Sequence, residues 1–132
     1  MTTELTLLAW TLVLALVQIF ATATVRTKQY GSKWNAGARD EALPPPTPLV
    51  GRLQRAQSNL YETLPLFAAA VLIAHAAGRE SATTALGAQL YFWGRVIYVP
   101  LYALGIPYIR SLVWLVSLAG LTMIIGTLLT PA

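Results

Sequence analysis

The sequence predicts an all-α integral membrane protein, a bundle of four transmembrane helices, and three observations carry that expectation. Hydrophobic residues fill 56% of the 132 positions and charged residues only 11%, against roughly 25% charged in soluble domains. Four stretches reach the roughly 20 mostly apolar residues that a helix needs to cross a bilayer core of about 30 Å. The breaks between them collect the charges, glycines and prolines. The length and even spread of apolar residues predict a single transmembrane domain over 1–132.

The first apolar segment covers about residues 5–25. Its start carries Glu4 and no lysine or arginine, unlike the basic start, short apolar core and small-residue cleavage site of a signal peptide. The expectation is therefore a retained spanning helix. A long polar loop, 26–54, follows; it holds Gly31, Gly37 and the "PPPTP" cluster, whose prolines lack donors and favour extended backbone. The remaining helices are expected at about 57–77, 82–104 and 111–130, separated by "GRES" and "GIPYIR". Pro65 and Pro100 free the carbonyls of Tyr61 and Val96 inside two of them. Gly87 and Gly94, seven apart, allow close helix packing.

Arginine and lysine accumulate in cytoplasmic loops. Arg26, Lys28, Lys33, Arg39, Arg52 and Arg55 lie in the first loop or at the start of the second helix, and Arg110 in the third connection, whereas the second offers only Arg79. The long first loop is therefore expected in the cytoplasm and both termini on the opposite, periplasmic side. A net charge of +4 raises nucleic acid as a partner, but the basic residues occupy short segments between apolar runs, which a bilayer explains. With no cysteine and a single histidine, His75, disulfides, thiolate metal sites, a cysteine nucleophile, a histidine metal site and a Ser-His-Asp triad are not expected. For His75 itself a structural hydrogen bond is expected.

At 100° per residue, Arg52, Arg55, Asn59, Glu62 and Leu66 share an arc of about 80° on the second helix, and Tyr91, Arg95, Tyr98 and Tyr102 one of about 60° on the third. A charge near the bilayer centre costs at least about 2.5 kcal/mol, so Arg95 should face protein or water and have a partner. Glu62, the only acidic residue within a span, is the expected partner, within one subunit or across an interface. Cohesion between helices accounts for one such pair. The full set describes a positive, tyrosine-lined pocket near the cytoplasmic side, suited to a small, multiply anionic ligand.

The arrangement "RLQRAQSNLYETLPLF" followed by "YFWGRVIYVPLYALGIPYIRSLVW" resembles the MAPEG family, the membrane-associated proteins in eicosanoid and glutathione metabolism, and in particular its microsomal glutathione transferases. The resemblance rests on Arg55, Ala56, Asn59, Glu62, Pro65 and Phe67 in the second helix. Arg95, Tyr98 and Tyr102 match in the third, and Pro107, Arg110 and Ser111 follow. It implies a homotrimer that holds glutathione between subunits near the cytoplasmic face. Arg52, Arg55, Asn59, Glu62, Arg95, Tyr98 and Tyr102 would bind this co-substrate, and Arg110, with Ser111 and Tyr98, would activate its thiol. Arg26 lies where the family's first helix supplies another basic residue. Ser58 and Tyr98 replace an arginine and a histidine of the prostaglandin E synthase branch, and Trp114 replaces a tyrosine there. The "QYGSKWNAGARDEALPPPTP" loop is unlike the eukaryotic branches and looks bacterial, which implies a bacterial inner membrane. Three functions stay open: a glutathione transferase or peroxidase acting on lipophilic electrophiles in detoxification, a noncatalytic lipid-binding or scaffold member of the same fold, and a small four-helix transporter.

Overall fold

A computed structural model describes residues 1–131. It contains five helices and, among the described residues, no strand: α1 (Thr3–Tyr30), α2 (Ser32–Ala36), α3 (Pro48–Ala76), α4 (Ala82–Ala103) and α5 (Ile109–Leu129). The expected second, third and fourth helices are thus α3, α4 and α5. The long loop is shorter than 26–54. α1 runs past the expected end to Tyr30, because the residues that leave the apolar stretch find partners of their own. Gln29 Nε2 donates to Pro45 O at 3.0 Å, Thr47 N donates back to Gln29 Oε1 at 2.9 Å, and Tyr30 OH donates to Pro44 O at 2.8 Å. These bonds pin the proline segment to the end of α1. α3 starts at Pro48, where the fixed φ of proline suits the first helical position and its missing N–H loses nothing. Arg52 and Arg55 consequently sit on helix and not in a loop.

Three helices, α1, α3 and α5, are long and apolar enough to cross a membrane. α4 has 22 residues, about 33 Å of helix, but Gln89, Arg95, three tyrosines and Pro100 dilute its apolar character. The helices alternate in direction. Thr2 Oγ1, at the start of α1, donates to Glu80 Oε2 between α3 and α4 at 2.7 Å. Arg79 Nη2 donates to Thr127 O and Thr130 O at the end of α5, at 2.8 and 2.6 Å. The starts of α1 and α4 and the ends of α3 and α5 therefore share one end of the bundle, so α1 and α4 run parallel.

α4 and α5 make the most extensive helix contact, and small residues permit it. A Cβ at Gly87 would fall 2.6 Å from Gly120 O, and one at Gly94 would fall 2.8 Å from Ser117 Cβ. Ser117 Oγ donates across the seam to Tyr91 O at 3.1 Å. The core between α1, α3, α4 and α5 gathers Leu7, Phe67, Val71, Tyr91, Leu121 and Ile124. Phe67 and Tyr91 stack at 4.0 Å. α3 and α4 end alike: Arg79 N donates to Ala74 O and Gly78 N to His75 O, as Ile106 N does to Leu101 O and Gly105 N to Tyr102 O. Gly78 and Gly105 supply the positive φ that this termination needs, 66° and 71°.

The packing predicts opposite outcomes for two glycines. Gly87→Ala should destabilise the protein in detergent by about 1–3 kcal/mol, because the added methyl meets backbone that cannot yield. Gly126→Ala, with nothing within 4 Å of the new Cβ, should leave stability unchanged or gain up to about 1 kcal/mol from helix propensity. Thermal unfolding of both variants measures this.

The outer end predicts a pH dependence. The Thr2 hydroxyl, followed by His75 at 3.1 Å, holds the Glu80 carboxylate below its ordinary pKa against the opposing effect of burial. A lowered pKa stabilises the fold fully above the unfolded value of about 4.3 and loses that contribution as pH falls through the folded value. The unfolding midpoint should therefore drop more between pH 5 and pH 3, on the order of the carboxylate range, in the wild type than in Glu80→Gln. Equal drops would show that the carboxylate contributes nothing.

Candidate functional site

At the opposite end of the bundle α3 begins, α4 ends and α5 begins, and there the arginines converge. Arg52, Arg55, Tyr102, Gly105, Pro107 and Arg110 line a cleft of about 200 Å³, so three guanidinium groups share one small space. No carboxylate lines it among the described residues. Arg55 Nε donates to Tyr102 OH at 3.0 Å. The Tyr102 ring also carries Arg110, whose Cζ lies 4.6 Å from its centroid. Rings in such positions attract cations through their quadrupole and hold both guanidiniums beside the cleft. Arg52 lies against the backbone: a Cβ at Gly105 would fall 2.8 Å from its Cζ, so the glycine serves the arginine as well as the helix end.

A second cleft, about 150 Å³, adjoins the first and shares Arg110 with it; Asn59, Tyr98, Ser111 and Trp114 complete its lining. An unusual turn brings Arg110 to both clefts and Ser111 to the second. Ile109 N donates to Pro107 O at 2.7 Å across Tyr108, whose φ of 61° and ψ of −60° define the strained form of γ-turn. The turn starts α5 abruptly and sets Arg110 in its first turn. Helix N-termini favour anions, so the field of α5 adds to that of the guanidiniums.

Arg95 is the deepest charge. It is 1% exposed, and its Nη1 donates to Asn59 Oδ1 at 2.7 Å, while its Cζ stacks 4.6 Å from the Tyr98 centroid. The expected pairing of Arg95 with Glu62 does not occur within the chain. Glu62 is exposed on α3, and the one ion pair among the described residues is His75–Glu80. The physical reason is rotation about the helix axis: Asn59 lies about 60° from Glu62 on α3 and reaches α4 with a neutral carbonyl, which avoids burying a second charge. Tyr91 also departs from the expected pocket. It turns into the core, bonded to Thr63 Oγ1 at 2.9 Å. His75, expected to make a structural hydrogen bond, contacts Glu80.

Of the residues singled out from sequence, the structure thus brings together Arg52, Arg55, Tyr102 and Arg110 in one cleft and Asn59, Tyr98, Arg110 and Ser111 in the next, with Arg95 beneath and Glu62 apart. Gly105 opens the expected "GIPYIR" connection, but nothing in the sequence pairs it with Arg52. A buried polar edge on α1 had been missed: Thr11, Gln18 and Thr22 are at most 3% exposed. Their spacing of seven and four in an otherwise apolar run was the available signal.

Stability should separate the two partners proposed for Arg95. Asn59→Ala leaves a buried guanidinium without its acceptor and should cost about 1.5–3 kcal/mol, whereas Glu62→Gln should cost less than about 0.5 kcal/mol. Chemical unfolding in mild detergent measures both, and a Glu62→Gln loss as large as that of Asn59→Ala would restore the ion pair.

Comparison with curated proteins and with solved structures finds no significant match in either. A family model, described as MAPEG family, matches residues 7–130. That range takes in the whole of α3, α4 and α5 and both clefts. Three apolar helices, a cluster of arginines at one end of the bundle and a match over nearly the whole length lead to one conclusion: the chain is an integral membrane protein and belongs to the MAPEG family.

Proposed function

We propose that the protein is a glutathione-dependent transferase or peroxidase that acts on lipophilic electrophiles. The observation that carries this reading is the convergence of Arg52, Arg55 and Arg110 on one cleft with no carboxylate to neutralise them among the described residues. Glutathione offers two carboxylates, and the guanidinium fork binds a carboxylate through two parallel hydrogen bonds. Membership of a family concerned with eicosanoid and glutathione metabolism supports the same ligand. The clefts, about 200 and 150 Å³, are open and below the 300 Å³ or so of a usual ligand site. A neighbouring subunit would supply the missing wall, which favours a homotrimer with sites between subunits. Glu62, exposed on the single chain, would then be available to accept from the ligand's ammonium group.

In this mechanism Arg55 and Arg52 hold carboxylates, Asn59 turns its amide toward the peptide, and Arg110 stands beside the sulfur. A positive neighbour stabilises the thiolate and lowers the thiol pKa, which raises the nucleophilic fraction at neutral pH. The thiolate then attacks an electrophilic carbon delivered from the bilayer, a carbon–sulfur bond forms, and the leaving group departs with its electron pair. Tyr98 and Ser111 line the second cleft with Arg110, and in this reading they would donate to sulfur or leaving group. Holding both reactants together supplies much of the rate. We also place all four long helices across a bacterial inner membrane, α4 included, with the clefts and the 31–47 connection in the cytoplasm and both termini outside. The parallel run of α4 with α1 and its length, 22 residues against 21 in α5, support this.

Equilibrium binding of glutathione to the purified protein tests the reading, with two variants to separate roles. Arg55→Ala should weaken binding roughly ten- to hundredfold, the equivalent of one charge-assisted hydrogen bond. Arg110→Ala should keep affinity within about fivefold yet lose the ultraviolet thiolate absorbance and most of the rate toward a chloronitrobenzene. No binding to the wild type at millimolar glutathione would sink the enzyme reading. Equal thiolate signals in wild type and Arg110→Ala would move activation to Tyr98, Ser111 or Arg95.

A further inference from the structure

α1 is patterned for lipid, the reverse of a helix in a soluble bundle. It presents Leu12, Val13, Leu16, Val17 and Phe20 outward, and it buries Thr11, Gln18 and Thr22 at 0%, 3% and 3% exposure. Thr11 satisfies itself on Leu7 O at 2.7 Å. Gln18 Oε1 and Thr22 Oγ1 do not: neither has a hydrogen-bond partner among the described residues. On the facing helix, Arg95 uses Nη1 on Asn59 and leaves Nε and Nη2 buried without an acceptor. Arg26 Nε, four residues beyond Thr22 on α1, is likewise buried and unpaired, so α1 and α4 each bury polar groups that nothing in the chain satisfies among the described residues.

The axial register brings them to one height. Thr84 Oγ1 donates to the buried Glu4 Oε2 at 2.6 Å, which ties the start of α4 to the start of α1. Fourteen positions further along these parallel helices stand Tyr98 and Gln18, each about 21 Å from that bond. The Arg95 guanidinium lies against the Tyr98 ring and so within a side chain's length of that height. Glu4, Thr11 and Gln18 recur every seven residues, a spacing that drifts only about 20° per repeat, so Gln18 keeps the face that Glu4 turns to α4.

We propose that Gln18 is a positioning residue for the binding cleft: its Oε1 takes up an unpaired N–H of Arg95 through one buried water. Such a water accepts from Arg95 Nη2, donates to Gln18 Oε1, and has a second proton for Thr22 Oγ1. Buried waters commonly make about three bonds of this kind to groups otherwise unsatisfied. The guanidinium is then held from both sides, by Asn59 of α3 and by Gln18 of α1. With Oδ1 committed to Arg95, the Asn59 amide N–H groups turn toward the cleft that Asn59 lines. Gln18 therefore shapes the ligand site without touching it. The effect on ligand affinity rests on the glutathione reading above; the coupling of Gln18 to Arg95 does not.

The test is a double-mutant cycle on the full chain in detergent with Gln18→Met, Arg95→Met and their combination, read by unfolding midpoint and glutathione affinity. Gln18→Met, nearly isosteric, should lower the midpoint and weaken glutathione binding roughly five- to tenfold. Gln18→Glu, which keeps the acceptor oxygens, should restore both in the wild type and neither in Arg95→Met. In the Arg95→Met background, Gln18→Met should cost nothing further. Additive losses, or a Gln18→Met protein equal to wild type in both readouts, overturn the proposal. If the wild type binds no glutathione, the midpoint cycle alone decides the coupling and only the enzyme reading falls. If Gln18→Met does not fold, Gln18→Asn replaces it, and additivity with Arg95→Met again overturns the proposal.

Discussion

The bundle is organised around a guanidinium that cannot meet lipid. Arg95 stands in the middle of α4, and a charge there is tolerated only when protein surrounds it and supplies partners. Asn59 answers from α3, Tyr98 gives its ring face one turn along α4, and α1 turns its one polar edge inward beside them. About a quarter turn from Arg95, α4 presents Gly87 and Gly94, so that α5 can approach to backbone contact. The charged face of α4 is thereby enclosed, while Leu86, Trp93 and Ile97 of the same helix stay exposed. The constraint explains why polar residues point inward and leucine, valine and isoleucine outward, the reverse of a soluble bundle.

The two ends of the bundle treat their polar groups differently. At the end where α1 starts, charges are consumed by the fold. Glu4 accepts from Thr84, Glu80 accepts from Thr2 and contacts His75, and Arg79 closes the last carbonyls of α5. At the other end Arg52, Arg55 and Arg110 meet tyrosine rings, a hydroxyl and a glycine, none of which neutralises them. A protein gains little stability from crowding like charges, which disfavour one another at short range. An anionic ligand relieves that repulsion, and the strained turn at Tyr108 that begins α5 is of the kind that accompanies functional sites.

Much of the site was legible because helical periodicity converts spacing into direction. Arg52, Arg55 and Asn59 fall on one face of α3 by arithmetic alone, and so do Arg95, Tyr98 and Tyr102 on α4. Periodicity says nothing of what a face meets. Glu62 shares the arc of Asn59, but it is the carboxamide that reaches Arg95. Tyr91 shares the arc of Tyr98, but it stacks on Phe67 in the core. Gly105 draws its importance from Arg52, far away in sequence, and no local pattern could have paired them.

From its residues alone the chain specified a membrane protein of long helices, its family and the helix faces that carry arginine, because apolar run length, charge position and the order of polar residues are local properties. The exact extent of α1 and α3 escaped, since it depends on Gln29, Tyr30 and Thr47 closing hydrogen bonds over the proline segment. The tertiary structure alone decided which polar groups meet. Within the chain Asn59 and not Glu62 holds Arg95, and three arginines share one cleft. Each of these follows from the relative rotation and axial register of packed helices, which the contact of Gly87 with Gly120 and the bond of Thr84 to Glu4 set across the fold.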